Sequence, residues 1–101
     1  MVVYYLMIEA VPESGNAELI DAEGAYVNLW VKAETERHAL EIAENYLVKE
    51  NWLAEKVEEI CIANREHLED ADSLDCYDEA CRSGIGAVFY TWSGEEEEKP
   101  S

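Results

Sequence analysis

The sequence predicts a single α+β domain in which four strands and two helices follow one another in the order ββαβαβ. The chain has 101 residues, the size of one ordinary domain. Four segments carry the apolar runs or the alternation of strands, and two others carry helix-start and helix-stop signals. Strand–helix–strand units favour parallel neighbours joined by right-handed crossovers. We therefore expect a two-layer sandwich: a four-stranded mixed sheet with both helices on one face.

The first two strands are predicted to form a hairpin with a long connection. Residues 2–11 are an apolar run, and residues 25–33 alternate between the two faces of a strand. Residues 12–24 between them contain Pro, Gly and Asn, which is typical of a loop. The two runs should pair antiparallel.

The first helix is predicted to begin after Thr35, because a threonine hydroxyl is a good N-cap. Asn51 suits the left-handed residue that ends a helix, and Trp52 should fold back as the apolar contact after it. Apolar residues at helical spacing give this helix one face to bury: Leu40, Ala43 and Leu47.

The third strand is predicted over residues 56–63. Glu58 and Glu59 interrupt its alternation, which suggests a β-bulge at that point. The polar, acidic residues 64–72 that follow are typical of a loop.

The second helix is predicted to be short and to lead directly into the last strand. Asp72 or Ser73 can cap it, it should run to about Arg82, and Gly84 can end it. Residues 85–92 form the fourth strand.

The predicted elements resemble the ferredoxin-like class of α+β sandwiches in content, although the order differs from the βαββαβ of that class. The folded domain should occupy residues 1–93. Residues 94–101 are a charge run that we expect to be a disordered acidic tail.

Charge is the strongest signal in the composition. The chain has 24 acidic residues against 7 basic ones, a formal net charge of −17. Such a field repels nucleic acid and anionic membrane surfaces, and it attracts cations and basic proteins. No apolar run approaches the roughly 20 residues that cross a bilayer. The apolar start has no basic residues before it and no cleavage site, so we expect a cytoplasmic protein without membrane or nucleic-acid partners.

The cysteines do not predict a disulfide framework or a metal centre. Cys61, Cys76 and Cys81 are odd in number, and with His67 their spacing matches no zinc pattern. Cys61 is most simply a small buried strand residue. The acidic loop lacks the glycine and the terminal glutamate of a calcium-binding loop. We therefore expect no metal and no cofactor.

No pattern points to an enzyme, although the sequence leaves that possibility open. A helix N-terminus could favour a thiolate at Cys76, but acidic residues surround it and no basic residue lies between Arg65 and Arg82. A glycine-rich phosphate loop before a helix is absent from the sequence.

Two surfaces are candidates for function. If both helices cover the aliphatic side of the sheet, the other side carries an unshielded partner or ligand face: Tyr5, Met7, Tyr26, Trp30, Tyr90 and Trp92. The acidic loop and second helix should present an acidic surface: Glu66, Glu69, Asp70, Asp72, Asp75, Asp78 and Glu79.

These surfaces favour a non-enzymatic interaction module of inhibitor or immunity type, which acts through its acidic surface, facing a basic protein, and through its aromatic sheet face. Two alternatives stay open. One is a small-molecule binder or minor enzyme whose pocket lies between the open sheet face and residues 12–24, lined by Tyr26, Trp30, Tyr90 and Trp92. The other is a homodimer joined through that face or through a free sheet edge.

Overall fold

The computed structural model describes residues 1–13 and 23–92. The predicted α+β class and the order ββαβαβ are confirmed. A short 3₁₀ turn, Arg65–His67, precedes the second helix. The helices and strands are β1 Val2–Pro12, β2 Gly24–Ala33, α1 Glu36–Lys49, β3 Trp52–Ile62, α2 Ala71–Ser83 and β4 Ile85–Trp92.

The four strands form one sheet in the order β3-β1-β2-β4, and every neighbouring pair is antiparallel. The predicted β1–β2 hairpin is confirmed, and the expectation of a mixed sheet is wrong. β2 and β3 do run in the same direction, but β1 lies between them and pairs with both. The crossover through α1 therefore joins parallel strands that are not neighbours.

The two helices pack against different faces of the sheet, which differs from the expectation of one shared face. Ala43 and Leu47 of α1 lie in a buried cluster with Leu6 and Leu29. Ala80 of α2 lies in a second cluster, with strand residues of the opposite face.

The positions and directions of the two edge strands explain why the helices cover different faces. β3 and β4 are the two edge strands, and the register places the end of β3 and the start of β4 at the same end of the sheet. The segment with α2 that joins β3 to β4 therefore crosses that end of the sheet, and the two strands that it joins run in opposite directions. The right-handed crossover rule concerns parallel strands only, so it does not determine which face α2 covers.

Two β-bulges shape β3. Its register with β1 skips Glu58 and Glu55, and the first of these confirms the bulge suggested by the sequence. Each bulge shifts the alternation of side chains by one residue. Val57 rather than Glu58, and Ala54 rather than Glu55, therefore pairs with a residue on the α1 side of β1. The residues whose partners lie on the α1 side of β1 are consequently unevenly spaced: Trp52, Ala54, Val57, Ile60 and Ile62.

The ends of α1 match the sequence-based prediction. Thr35 Oγ1 accepts a hydrogen bond from the backbone N–H of His38 at 3.1 Å. Asn51 has φ 69°, in the left-handed region. Trp52 is 6% exposed and belongs to the same buried cluster as Leu47.

The start of α2 lies earlier than predicted. Asp70 is the N-cap, and its Oδ2 accepts a hydrogen bond from the backbone N–H of Ser73 at 2.9 Å. Asp72, one of the two residues expected to cap the helix, lies inside its first turn. The predicted end is confirmed, since Gly84 has φ 103° and its N–H donates to the carbonyl oxygen of Ala80.

Candidate functional site

The predicted aromatic residues do share one face of the sheet. The register pairs Tyr5 with Trp30 and Tyr26 with Tyr90. Side chains of directly paired residues lie on the same side. α2 crosses one end of that face, however, and leaves Trp30 only 2% exposed. Trp30 therefore belongs to the core beneath α2 and is not part of an open surface.

The other end of the face is open. Tyr26 is 43% exposed and Tyr90 50% exposed. The rings of Tyr26 and Trp92 lie 4.9 Å apart between centroids, and the Trp92 ring lies over Gly24, where a Cβ would come within 2.4 Å of it. With half-buried Met7 these side chains form what we call the aromatic patch: Met7, Tyr26, Tyr90 and Trp92.

The covered end of the face contains a small polar arrangement. Tyr5 packs on Trp30 with 5.1 Å between ring centroids, and its hydroxyl donates to Asn28 Oδ1 at 3.1 Å. Burial, reinforced by the negative charge of Glu59, raises the pKa of Tyr5 above its usual 10.0. The buried Nε1 of Trp30 has no hydrogen-bond acceptor among the described residues.

A cleft of about 280 Å³ opens beside α2 at this covered end. The pocket expected from the sequence lies elsewhere on the same face: of its four predicted lining residues, only Trp30 lines this cleft. Residues 14–22, most of the loop expected to close that pocket, lie outside the described residues. The polar side chains that line the cleft come from the sheet, the 3₁₀ turn with its cap, and α2: Tyr5, Asn28, Cys61, Asn64, His67 and Ser73.

Cys61 in this cleft is exposed, although the sequence led us to expect a buried residue. Cys61 lies on the edge strand β3, whereas α2 packs mainly over β4 and β2. The Cys61 thiol donates a hydrogen bond to the Glu59 carboxylate. Partial burial and then Glu59 raise the pKa of Cys61 above its usual 9.0, so the thiolate is scarce at neutral pH.

Cys76 is a half-buried residue of α2, and it too is held as a thiol. Burial, followed by the charges of Asp72 and Asp75, raises the pKa of Cys76 above its usual 9.0. This is the direction that the acidic surroundings in the sequence indicate. Across residues 1–13 and 23–92, no cluster of three or more His, Cys, Asp or Glu side chains could hold a metal ion.

The predicted acidic surface divides into paired and unpaired carboxylates. Asp78 accepts hydrogen bonds from Arg65, with 3.0 Å between Nε and Oδ1. Glu79 is bound by Arg82 and by the Ser83 hydroxyl. The remaining five acids are exposed and make no ion pair among the described residues; we call them the acidic segment: Glu66, Glu69, Asp70, Asp72 and Asp75.

Local hydrogen bonds keep several of these acids ionised. The backbone N–H of Ser73 lowers the pKa of Asp70 below its usual 3.8. The Arg65 guanidinium lowers the pKa of Asp78 in the same direction. For Glu79, the hydrogen bond from Ser83 and then Arg82 lower the pKa below its usual 4.5. The surface therefore stays negative across the physiological pH range.

The fold and these surfaces define a small acidic α+β domain with an exposed acidic segment and a separate aromatic patch. No helix in the described part of the chain has the length and apolarity of a membrane span. Comparisons with protein-family models, with curated proteins and with solved structures find no match to this chain.

Proposed function

We propose that this protein is a non-enzymatic binding module that engages a basic protein partner through its acidic segment, in the manner of an inhibitor or immunity protein. The observation that carries the proposal is the set of five exposed carboxylates within Glu66–Asp75, on a chain with net charge −17. The guanidinium nearest in sequence, Arg65, is already bound to Asp78 and does not neutralise them.

Such a surface acts mainly on the rate of encounter. Concentrated negative charge draws a positively charged partner into contact faster than diffusion alone, and salt screens the attraction. The Debye length falls from about 10 Å at 0.1 M salt to about 3 Å at 1 M. Association should therefore weaken steeply as salt increases.

The aromatic patch would supply the contact area that charge alone does not. Tyr and Trp are rigid, amphipathic side chains that often dominate binding energy when an interface buries them. Tyr26 and Tyr90 present exposed rings on the face that α2 leaves open. The same patch could join two copies of the chain. Light scattering after size exclusion tests that alternative, and Tyr90→Asp should then give monomers.

The proposal is tested with charge-neutral variants and a panel of purified basic nucleases and DNA-binding proteins. The triple change Glu69→Gln, Asp72→Asn and Asp75→Asn should weaken binding at least about tenfold at roughly 50 mM salt, and much less at roughly 500 mM. The matched control changes Glu36→Gln, Glu41→Gln and Glu44→Gln neutralise three exposed acids of α1, on the other face. Equal effects of both sets, or no binding to any basic protein at low salt, would contradict the proposal.

A second candidate function is favoured by the cleft beside α2. Its lining places polar groups next to Trp30, whose Nε1 lacks an acceptor in the described part of the chain. A small ligand with a hydrogen-bond acceptor would suit this environment. A thermal-shift screen of metabolites, repeated on Asn28→Ala, tests it: stabilisation of the unchanged protein that Asn28→Ala abolishes would support the cleft.

We also propose a cytoplasmic location. All three cysteines are free thiols, as is usual for proteins in a reducing compartment. Residence in an oxidising compartment would contradict this, and fractionation of the source cell with thiol labelling tests it.

A further inference from the structure

The two edges of the sheet are built differently. β3, at one edge, is interrupted by two bulges and carries the charged residues Glu55, Lys56, Glu58 and Glu59. Bulges and charges are the usual protection of an edge against added strands. β4, at the other edge, has neither: it pairs with β2 without a register break, and its sequence IGAVFYTW contains no charge.

The outer side of β4 offers backbone groups for pairing. Lys32 N–H donates to the carbonyl oxygen of Gly84 at 2.9 Å, which sets the phase of the β2–β4 ladder. In an antiparallel ladder every second residue exchanges hydrogen bonds with its partner. Gly86 and Val88 therefore bond to β2, while Ala87 and Phe89 direct their N–H and C=O groups away from the sheet. No described strand pairs there.

A groove of about 330 Å³ runs beside this edge, between α2 and β4. Gly86 and Ala87 form its floor, and the backbone of α2 lies directly over Gly86. Its wall carries three carboxylates and one guanidinium: Asp75, Asp78, Glu79 and Arg82. Arg82 is bound to Glu79, and Arg65 to Asp78. Asp75 makes no ion pair with a described residue, so it gives the wall a net negative charge.

We propose that the outer edge of β4 receives an extended, basic segment of a partner protein as a fifth strand. Backbone hydrogen bonds to Ala87 and Phe89 would hold the segment. Alternate side chains of a strand project to one face, so a Lys or Arg at every second position of the segment would enter the groove near Asp75. This inference rests on the proposed function, because it names how the basic partner binds.

Charge selects this occupant over a second copy of the chain. Two copies would bring together two bodies that each carry −17. A basic segment instead gains from the same field at the one edge where no bulge or charge blocks pairing.

The test uses the full chain and a synthetic peptide of about ten alternating Lys and Thr residues, the length of a long strand. A matched peptide carries N-methyl groups on its four central amides, which keeps its charge and removes backbone donors. At low salt the first peptide should bind, and methylation should weaken binding by at least about tenfold. Hydrogen–deuterium exchange should slow at the amides of Ala87 and Phe89.

Ala87→Pro provides a second measurement, since proline is tolerated on the outer side of an edge strand and removes one N–H donor. It should weaken peptide binding, whereas the control Ala87→Val should not. Equal binding of the methylated peptide, with protection confined to 66–75, would overturn the inference and leave the proposed function standing. No binding of either peptide at low salt would contradict both. Concentration-dependent protection of β4 in the free protein would assign the edge to a second copy, and would also overturn the inference.

Discussion

Gly86 of β4 lies directly beneath Cys76 of α2: a Cβ added at Gly86 would come within 2.2 Å of the Cys76 carbonyl oxygen. The atom it would meet belongs to the backbone of a helix, which cannot move aside as a side chain does. The absence of a side chain at this one strand position therefore sets how closely α2 approaches the sheet.

Gly86→Ala should destabilise the protein by about 3 kcal/mol, the upper part of the usual range for overpacking. The comparison variant is Gly84→Ala, where no atom would lie within 4 Å of the new Cβ and only the backbone φ of 103° opposes it. That change should cost about 1–2 kcal/mol, because a Cβ is unfavourable in a left-handed backbone conformation. Urea denaturation measures both, and a smaller cost at Gly86 would show that α2 is not closely packed there.

Leu47→Ala should reduce the free energy of unfolding by about 2–5 kcal/mol, because Leu47 is fully buried between α1 and the sheet. The adjacent Val48 is 52% exposed, so Val48→Ala is the matched control and should change it by less than about 0.5 kcal/mol. Similar losses from the two variants would mean that α1 does not present the Leu47 face to the core.

The Asp70 cap should contribute to stability in a pH-dependent way. Its pKa is lowered in the folded protein, so the contribution is complete above the usual pKa of 3.8 and is lost as the pH falls through the lowered value. Asp70→Ala should lower the melting temperature by a few degrees at neutral pH. Asp70→Asn keeps a good cap and should be close to the unchanged protein at neutral pH.

The readout for the cap is the difference in unfolding free energy between the unchanged protein and Asp70→Asn as the pH is lowered. Comparison with this variant removes the acid dependence due to Asp78 and Glu79, whose lowered pKa values act in the same direction. The difference should shrink or reverse in acid. A difference that stays constant across that range would contradict an ionised Asp70 cap.

Thiol labelling should separate the three cysteines. Cys61 and Cys81 are exposed and should react in the folded protein, whereas half-buried Cys76 should react fully only in denaturant. The raised pKa of Cys61 means that its rate should keep increasing as the pH passes 9.0. Mass spectrometry identifies the modified residue, with Cys61→Ser as the control. Fastest labelling at Cys76 would contradict the packing of α2.

Local signals in the sequence were sufficient for most of the fold. Alternation predicted β2, and the Thr35 and Asn51 signals predicted both ends of α1, because each depends on neighbours within a few residues. The Glu58 and Glu59 pair indicated the bulge for the same reason. The start of α2 is not determined by local signals, since Asp70, Asp72 and Ser73 are all chemically suitable caps and only the folded backbone selects one.

Long-range relationships were not available from these signals. The face covered by α2 depends on β3 and β4 being opposite, antiparallel edges, which no local pattern specifies. This one relationship changes the reading of the aromatic face, because it buries Trp30 and leaves Tyr26 and Tyr90 open. It also creates the cleft at Cys61 and the groove beside β4. The acidic segment was predictable because exposed charge requires no knowledge of topology.

The bulges of β3 divide its residues into those that the pairing with β1 needs and those that it does not. The register passes over Glu58 and Glu55, so deleting either one would remove a bulge and leave every other pair with β1 unchanged. Deleting Leu53, which pairs with Val11, would instead move Trp52 opposite Val11 and turn its side chain to the other face. Trp52 would then leave the core, although no buried residue had been removed.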